Sequence, residues 1–197
     1  MSKIYKINNH LCEYKQNLID SIVNTDPFET VRIGTQTWMK YNLDIGEAGR
    51  YGNYDKIYVI ENVSANGVNF GTQHFYTYDA AVRIADTIEG WHLPSKDEYN
   101  TLITYCGGST VAGGILKSTT GWTNNGTDDY GFNGLPVGRI NQNTEGHFDA
   151  GNYANFWTTD HEGSNDGYEM YLASDSRTRF SDEHRTNGFS VRLIKDA

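Results

Sequence analysis

Cysteine and proline are scarce in this chain, two and three residues among 197. Cys12 and Cys106 stand far apart in unlike surroundings, which gives neither a disulfide framework nor a paired-thiol metal knuckle. Basic residues are in deficit too: 16 Lys and Arg face 25 Asp and Glu, a formal net charge of -9. A protein that grips a phosphate backbone needs clustered Lys and Arg to displace counterions, so nucleic acid is not an expected partner. Long apolar runs are missing as well. None approaches the roughly 18 residues that a membrane span requires, so membrane insertion is not expected. The opening stretch MSKIYKINNHLCEYKQNLIDSIV has no apolar run of signal-peptide length, and the expectation is a chain made and folded in a cytoplasm. No internal period of repetition is present, which argues against a solenoid or propeller.

Glycine and aromatic residues are what the chain has in quantity. Its 21 Gly point to tight turns and close backbone approaches, in a loop-rich α+β fold rather than a helical bundle. Hydrophobic residues make up 37% of the chain, but 14 Tyr, 8 Phe and 4 Trp bring enough area per side chain for a real core. At about 150 residues per domain, the length fits one domain and a short appendage.

Residues 1–28 read as that appendage. Lys3 to Ile7 alternates polar and apolar residues, Asn8-Asn9 suits a turn, and His10 to Tyr14 alternates again, which suggests a small hairpin. Leu18, Ile19, Ile22 and Val23 then follow helical spacing until Asp26-Pro27. Such a segment is too small to hold itself together by burial. It is expected to be an anchoring or oligomerisation arm that docks on a partner or on another copy of the chain, the alternative being a strand packed on its own domain.

The domain proper is expected over residues 29–197. Thr30 to Ile33, a Gly34-Thr35 turn and Thr37 to Asn42 predict a hairpin. Two helices are predicted, one over Asp79 to Thr87 with Ala80, Ala81, Ile84 and Ala85 on one face. The other runs over Ser95 to Cys106, opened by the capping box Ser95…Glu98 and carrying Tyr99, Leu102 and Ile103. After Gly107-Gly108 the chain reads as mostly glycine-punctuated loop until three short strands, Asn155 to Thr159, Tyr168 to Ala173 and Phe189 to Lys195.

Seven blocks in order carry a family resemblance: VRIGTQTWMKYNLD (31–44), YTYDAAVRIA (76–85), GWHLPSKDEYNTL (90–102), LKSTTGW (116–122), DDYGFNGLPVGR (128–139), GNYANFWTTD (151–160) and GFSVRLIKD (188–196). This pattern resembles the Fibrobacter succinogenes major paralogous domain over about residues 30 to 196. The resemblance implies a C-type-lectin-like fold, related in architecture to formylglycine-generating enzymes and to the variable receptor-binding proteins of phage retroelements. It also implies a pair of cysteines, one shortly before GWHLP and one in the last strand. Here those stretches read ADTIEGWHLP and SVRLIKD, with Leu193 in the strand. Their joint absence fits a protein that folds in a reducing compartment.

Within these blocks Trp38, Trp91, Trp122 and Trp157 are expected to be core or loop-pinning residues, with ligand stacking as the alternative. Pro94 fixes the approach of the chain to the capped helix, and Gly131, Gly138 and Gly151 suit turn conformations that a Cβ would forbid. A thiol nucleophile needs a partner that lowers its pKa, and Cys106 at a helix C-terminus is disfavoured as a thiolate. The histidines at 10, 74, 92, 147, 161 and 184 never recur in a zinc spacing. His92 is expected to be a hydrogen-bonded structural residue. No catalytic residue, metal ligand or obligatory cofactor is therefore assigned. Calcium remains open, because Asn124 to Asp129 and Asp160 to Asp166 are oxygen-rich, although such loops also serve as plain solvated turns.

The stretch between Tyr153 and Arg185 mixes aromatic, Arg and Asn residues in the manner of adaptable recognition surfaces. Candidate ligand-binding residues are Tyr153, Asn155, Tyr168, Tyr171, Arg177, Arg179, Phe180, Asp182, His184 and Arg185, with Glu169 and Asp175 among them in the chain; ordinary polar strands and loops are the alternative. The expected function is that of a phage virion structural protein, a head- or tail-fibre or decoration type. Its arm would anchor on a capsid or tail protein, and its lectin-like domain, as a homodimer or homotrimer, would attach to a host surface glycan or protein. The alternative is a bacterial surface or scaffold protein with a non-enzymatic binding role.

Overall fold

A computed structural model describes residues 26–52 and 54–197. The hairpin and helix predicted within residues 3–23, Cys12, and most of the 1–28 arm lie outside the described residues. From Thr30 onward the chain is α+β, built of small antiparallel sheets and three short helices.

Strand β1 (Thr30–Ile33) pairs with β2 (Gln36–Met39) as predicted, with Ile33 opposite Gln36. Gly34 takes φ 61° in the two-residue turn between them, a conformation that hairpin turns require and glycine tolerates. Strand β14 (Ile194–Lys195) at the other end of the chain pairs antiparallel with both β2 and β8 (Trp91–His92). One sheet thus holds both ends of the domain, in the order β1-β2-β14-β8. A second sheet is formed by β3 (Gly49–Arg50), β4 (Lys56–Ile60) and β7 (Gln73–Tyr76), and the hairpin of β5 (Ser64–Ala65) and β6 (Val68–Asn69) projects between the last two.

Helix α1 (Tyr78–Ala85) buries Tyr78, Ala80, Ala81, Ile84 and Ala85, the face read from the sequence. Its N-cap residue, Thr77, turns its hydroxyl to the Lys56 N–H at 2.8 Å instead of capping the helix, so the helix start is tied to β4. Helix α2 (Lys96–Tyr105) has the predicted capping box: Ser95 Oγ accepts from the Glu98 N–H and the Glu98 carboxylate accepts from the Ser95 N–H at 2.8 Å. It ends where Gly107 takes φ 89° and the Gly108 N–H returns to the Ile103 carbonyl, the glycine-terminated closure common at helix ends.

The stretch after Gly107-Gly108 is not all loop. A third helix, α3 (Ala112–Leu116), forms there, and two short strands, β9 (Arg139–Ile140) and β10 (His147–Phe148), pair antiparallel. Gly113 and Gly114 hid α3 from a propensity reading, but Gly113 is needed for packing: a Cβ there would lie 2.5 Å from the Arg177 carbonyl oxygen. The predicted strand from Phe189 to Lys195 is likewise interrupted. Gly188, Phe189 and Ser190 make isolated bridges to Ile140, Tyr76 and Phe156, and only Ile194–Lys195 is regular strand.

The longest sheet is an antiparallel meander of β11 (Tyr153–Glu162), β12 (Asp166–Ala173) and β13 (Thr178–His184). Its inner face contributes Ala154, Phe156, Met170 and Leu172 to a core shared with Trp38, Tyr99, Leu102 and Phe132. Trp157 lies in a second core with Phe189, Val191, Leu193 and the face of α1. All four tryptophans are buried. Trp157 Nε1 donates to the Tyr76 carbonyl and Trp122 Nε1 to the Gly134 carbonyl, while Trp91 meets Phe28 edge-on.

Two buried cations stitch irregular segments together. Arg192, fully buried, donates to the carbonyls of Met39, Lys40 and Phe132 and to Asn42 Oδ1, with its guanidinium 4.6 Å from the Phe132 ring centroid. Burial pulls its pKa down to about 10, so it stays charged at neutral pH. Lys117 Nζ donates to the carbonyls of Asn124, Ser174 and Asp175 at 2.8 to 3.1 Å, holding α3 against the β12–β13 turn. Several hydrogen bonds to each make such buried charges tolerable, and Arg192 Nε alone is left without a partner among these donors.

Candidate functional site

Side chains alternate across a strand, and the register of the meander sorts them. Asn155 stands opposite Tyr171 and Tyr171 opposite Arg179, while Glu169 stands opposite both Trp157 and Ser181, and Glu183 opposite Gly167. These residues face outward, away from the core of Phe156 and Met170. One half of that outer face is covered: Trp157 packs beneath Tyr78 and Phe189, and Gly167 leaves room for the Tyr78 ring. The other half is open.

A cavity of about 280 Å³ lies on the open half. Gly138 places its outer wall. It takes φ 73°, and a Cβ there would fall 2.0 Å from the Phe148 carbonyl oxygen; its own N–H donates to the Tyr153 carbonyl. This close approach lays β9 beside the edge of β11, and Arg139 reaches over the cavity, where Nε donates to Asp149 at 2.9 Å. Gly131 and Gly151 also take positive φ, as expected.

Asn155 and Glu169, both nearly inaccessible, form the floor. Asn155 Nδ2 donates to Glu169 Oε2 at 2.7 Å, and Asn155 Oδ1 has no hydrogen-bond partner. Burial pushes the Glu169 carboxyl up to about 8, against the hydrogen bond from Asn155 and with help from the nearby Glu183 charge. Glu183 is raised as well, chiefly by burial, and accepts from Asn187 Nδ2 at 2.9 Å. Tyr153 and Tyr171 form the rim, with ring centroids 6.0 Å apart and planes tilted by 49°. Arg179 lies next to Tyr171 on this face. Its guanidinium grips Asp175 through both nitrogens at 3.1 and 2.6 Å, which holds the Asp175 carboxyl down at about 2.

Of the residues singled out from the sequence, Tyr153, Asn155, Tyr171 and Arg179 are thus brought to one face, and Glu169 with them. The others go elsewhere. Phe180 packs against the inner core. Tyr168 and Asp182 are cross-strand partners on the same inner side but past the edge of the core, where Lys96 Nζ lies 3.6 Å from the Tyr168 ring centroid. Arg177 is exposed on the β12–β13 turn. His184 bonds Thr186 at the end of β13. Arg185 pairs with Asp79 and lies over the Tyr78 ring. It lines a separate, larger cleft of about 600 Å³ with Val82 and His161, where Tyr78 Oη donates to the Thr159 carbonyl and Arg185 Nε is buried without a partner. Arg139, Asp149, Ser181 and Glu183 line the cavity without having been singled out. The signal for Ser181 and Glu183 was the alternation in TRFSDEH, which a polar composition concealed; Arg139 and Asp149 arrive through the Gly138 approach, which has no periodic signature.

Three side-chain oxygens of the oxygen-rich loops are taken up by backbone N–H groups. Asn125 Oδ1 accepts from the Trp122 N–H, Asp128 Oδ1 from the Asn133 N–H, and Asp160 Oδ2 from the Lys96 N–H at the start of α2. Among the described residues no three His, Cys, Asp or Glu side chains form a group that could hold a metal ion, and no helix is long and apolar enough to cross a membrane. Cys106 is a free, buried thiol that burial pushes up to about 11. His92 bridges two carboxylates, Asp196 at 2.6 Å and Glu98 at 2.8 Å, and so clips the last residues of the chain to the α2 cap.

The family model of the Fibrobacter succinogenes major domain matches residues 31–195. No curated protein and no solved structure matches the chain.

Proposed function

The chain belongs to the Fibrobacter succinogenes major domain family, and we propose that it is a non-catalytic recognition module which takes a polyhydroxylated unit of a bacterial surface glycan in the cavity on the open half of the β11–β12–β13 sheet. A C-type-lectin-like arrangement is part of the same proposal, supported by the terminal strands sharing one sheet and the long meander standing between two helix-backed cores. The carrier in this reading is a phage virion, whose head or tail fibre presents the domain as a homodimer or homotrimer so that weak single sites add through avidity.

The observation that carries the reading is Asn155 Oδ1, buried and without a partner. An unmade hydrogen bond of this kind costs about 1–3 kcal/mol, and its place on the floor of an open cavity gives it a reason: a ligand hydroxyl supplies the missing donor. The tilted tyrosines of the rim offer faces for the C–H side of a sugar ring. A thiol raised as far as that of Cys106 is no nucleophile at neutral pH, which speaks against a formylglycine-type oxidase.

A glycan array probed with the full chain tests this. Binding to at least one bacterial glycan is expected, reduced tenfold or more by Tyr153→Ala with Tyr171→Ala and unchanged by Arg177→Ala. Equal binding by the double tyrosine variant would place recognition elsewhere.

A further inference from the structure

We propose that the ligand unit held in this cavity is an amino sugar, recognised through its ammonium group by the Asn155 and Glu169 floor. The inference rests on the cavity being the binding site and adds the charge of what enters it.

Once Glu169 is ionised, the floor presents acceptors and no free donor. Asn155 Oδ1 is unpartnered, and its Nδ2 is already engaged with Glu169. Glu169 has its carboxyl at the floor and Glu183 has its own at the side. Each of the charged donors nearby is held by a carboxylate of its own: Arg139 by Asp149 and Arg179 by Asp175. A hydroxyl brings one proton to such a floor, whereas an ammonium brings three and a positive charge. The charge matters because burial and repulsion by the nearby Glu183 charge keep Glu169 protonated, against the pull of Arg139. An arriving cation relieves that repulsion, Glu169 ionises, and its proton leaves to solvent. Tyr153 and Tyr171 at the rim favour a cation as well, and they favour a ring-bearing ligand over a bare alkyl chain.

A cavity near 280 Å³ accommodates a single sugar ring. This decides for a hexosamine against a lysine side chain of a protein partner, which would bring the same ammonium on a thin stem and leave the tyrosine faces uncovered.

The test is calorimetric titration of the full chain with D-glucosamine, N-acetyl-D-glucosamine and Nα-acetyl-lysine methylamide at pH 6.5, where both amines are protonated, repeated in two buffers of different ionisation heat. Glucosamine is expected to bind at least tenfold more tightly than N-acetylglucosamine, with net proton release, and Glu169→Gln is expected to remove that advantage. Preference for N-acetylglucosamine, or for the lysine analogue, would overturn the proposal. If the two sugars bind equally and Tyr153→Ala abolishes both, the site stands and only the charge inference fails. If no ligand responds to Tyr153→Ala or to Glu169→Gln, the site itself fails with it.

Discussion

Glu169→Gln alters the cavity floor by a single atom type and removes its titration, so the consequence for stability can be worked through. Burial, foremost, raises this carboxyl from 4.5 to about 8. Between those values the folded protein keeps a proton that the unfolded chain has released. Stability therefore falls as pH rises across the window, by up to about 1.4 kcal/mol per pH unit. The accumulated loss is roughly 3 kcal/mol at pH 7 and levels off once the folded-state carboxyl has ionised. A glutamine carries no such penalty; its oxygen can accept from Asn155 Nδ2 and its amide can donate to the unpartnered Asn155 Oδ1. The variant is expected to match the parent near pH 4.5 and to exceed its stability by roughly 3 kcal/mol at pH 7. Urea unfolding at half-unit steps from pH 5 to 8, followed by the fluorescence of the buried tryptophans, measures the difference. A gap between variant and parent that does not change with pH would refute the reasoning, because it would mean that Glu169 does not titrate in that range. A glutamate retained against such a penalty is what a functional site looks like, since binding surfaces commonly trade stability for ligand recognition.

Arg192→Met removes the donor set that holds the carbonyls of Met39, Lys40 and Phe132; a loss of about 3–5 kcal/mol is expected in denaturant unfolding, and a loss below about 1 kcal/mol would show that these segments hold together without it. For His92, burial lowers the ring's pKa and the hydrogen bonds of Glu98 and Asp196 more than reverse it, so the net shift is upward from 6.5. A raised histidine contributes stability that is fully present below the ordinary pKa and is lost as pH rises through the folded value. The melting temperature of the parent should therefore fall relative to that of His92→Gln as pH is raised from about 6 to 8, and parallel curves would contradict the two-carboxylate clip.

Much of the scaffold was legible because it is written in local chemistry. The Gly34-Thr35 hairpin, the alanine face of α1 and the Ser95…Glu98 cap each depend on residues within a few positions of one another, and each formed as read. What escaped depends on distant partners. α3 carries two glycines that no helix propensity would choose, and Gly113 is there because the Arg177 carbonyl presses against it. β13 has one apolar side chain, Phe180, which packs against the core while Ser181 and Glu183 line a cavity. The candidate site was half legible for the same reason. A composition argument pointed to residues 153–185, but only the cross-strand register separates Tyr153, Asn155, Tyr171 and Arg179 from Tyr168, Phe180 and Asp182. Arg192 sat in a recognisable block without any sign that its charge would be buried among carbonyls.

The central claim is that ligand enters at the Asn155–Glu169 floor. The most direct measurement is an amide chemical-shift map of the full chain titrated with the glycan that it retains best on an array. Perturbations centred on Arg139, Tyr153 to Asn155, Glu169 to Tyr171 and Ser181 to Glu183 are the predicted result. Perturbations centred instead on Tyr78, Val82, His161 and Arg185, the residues of the larger cleft, would contradict it.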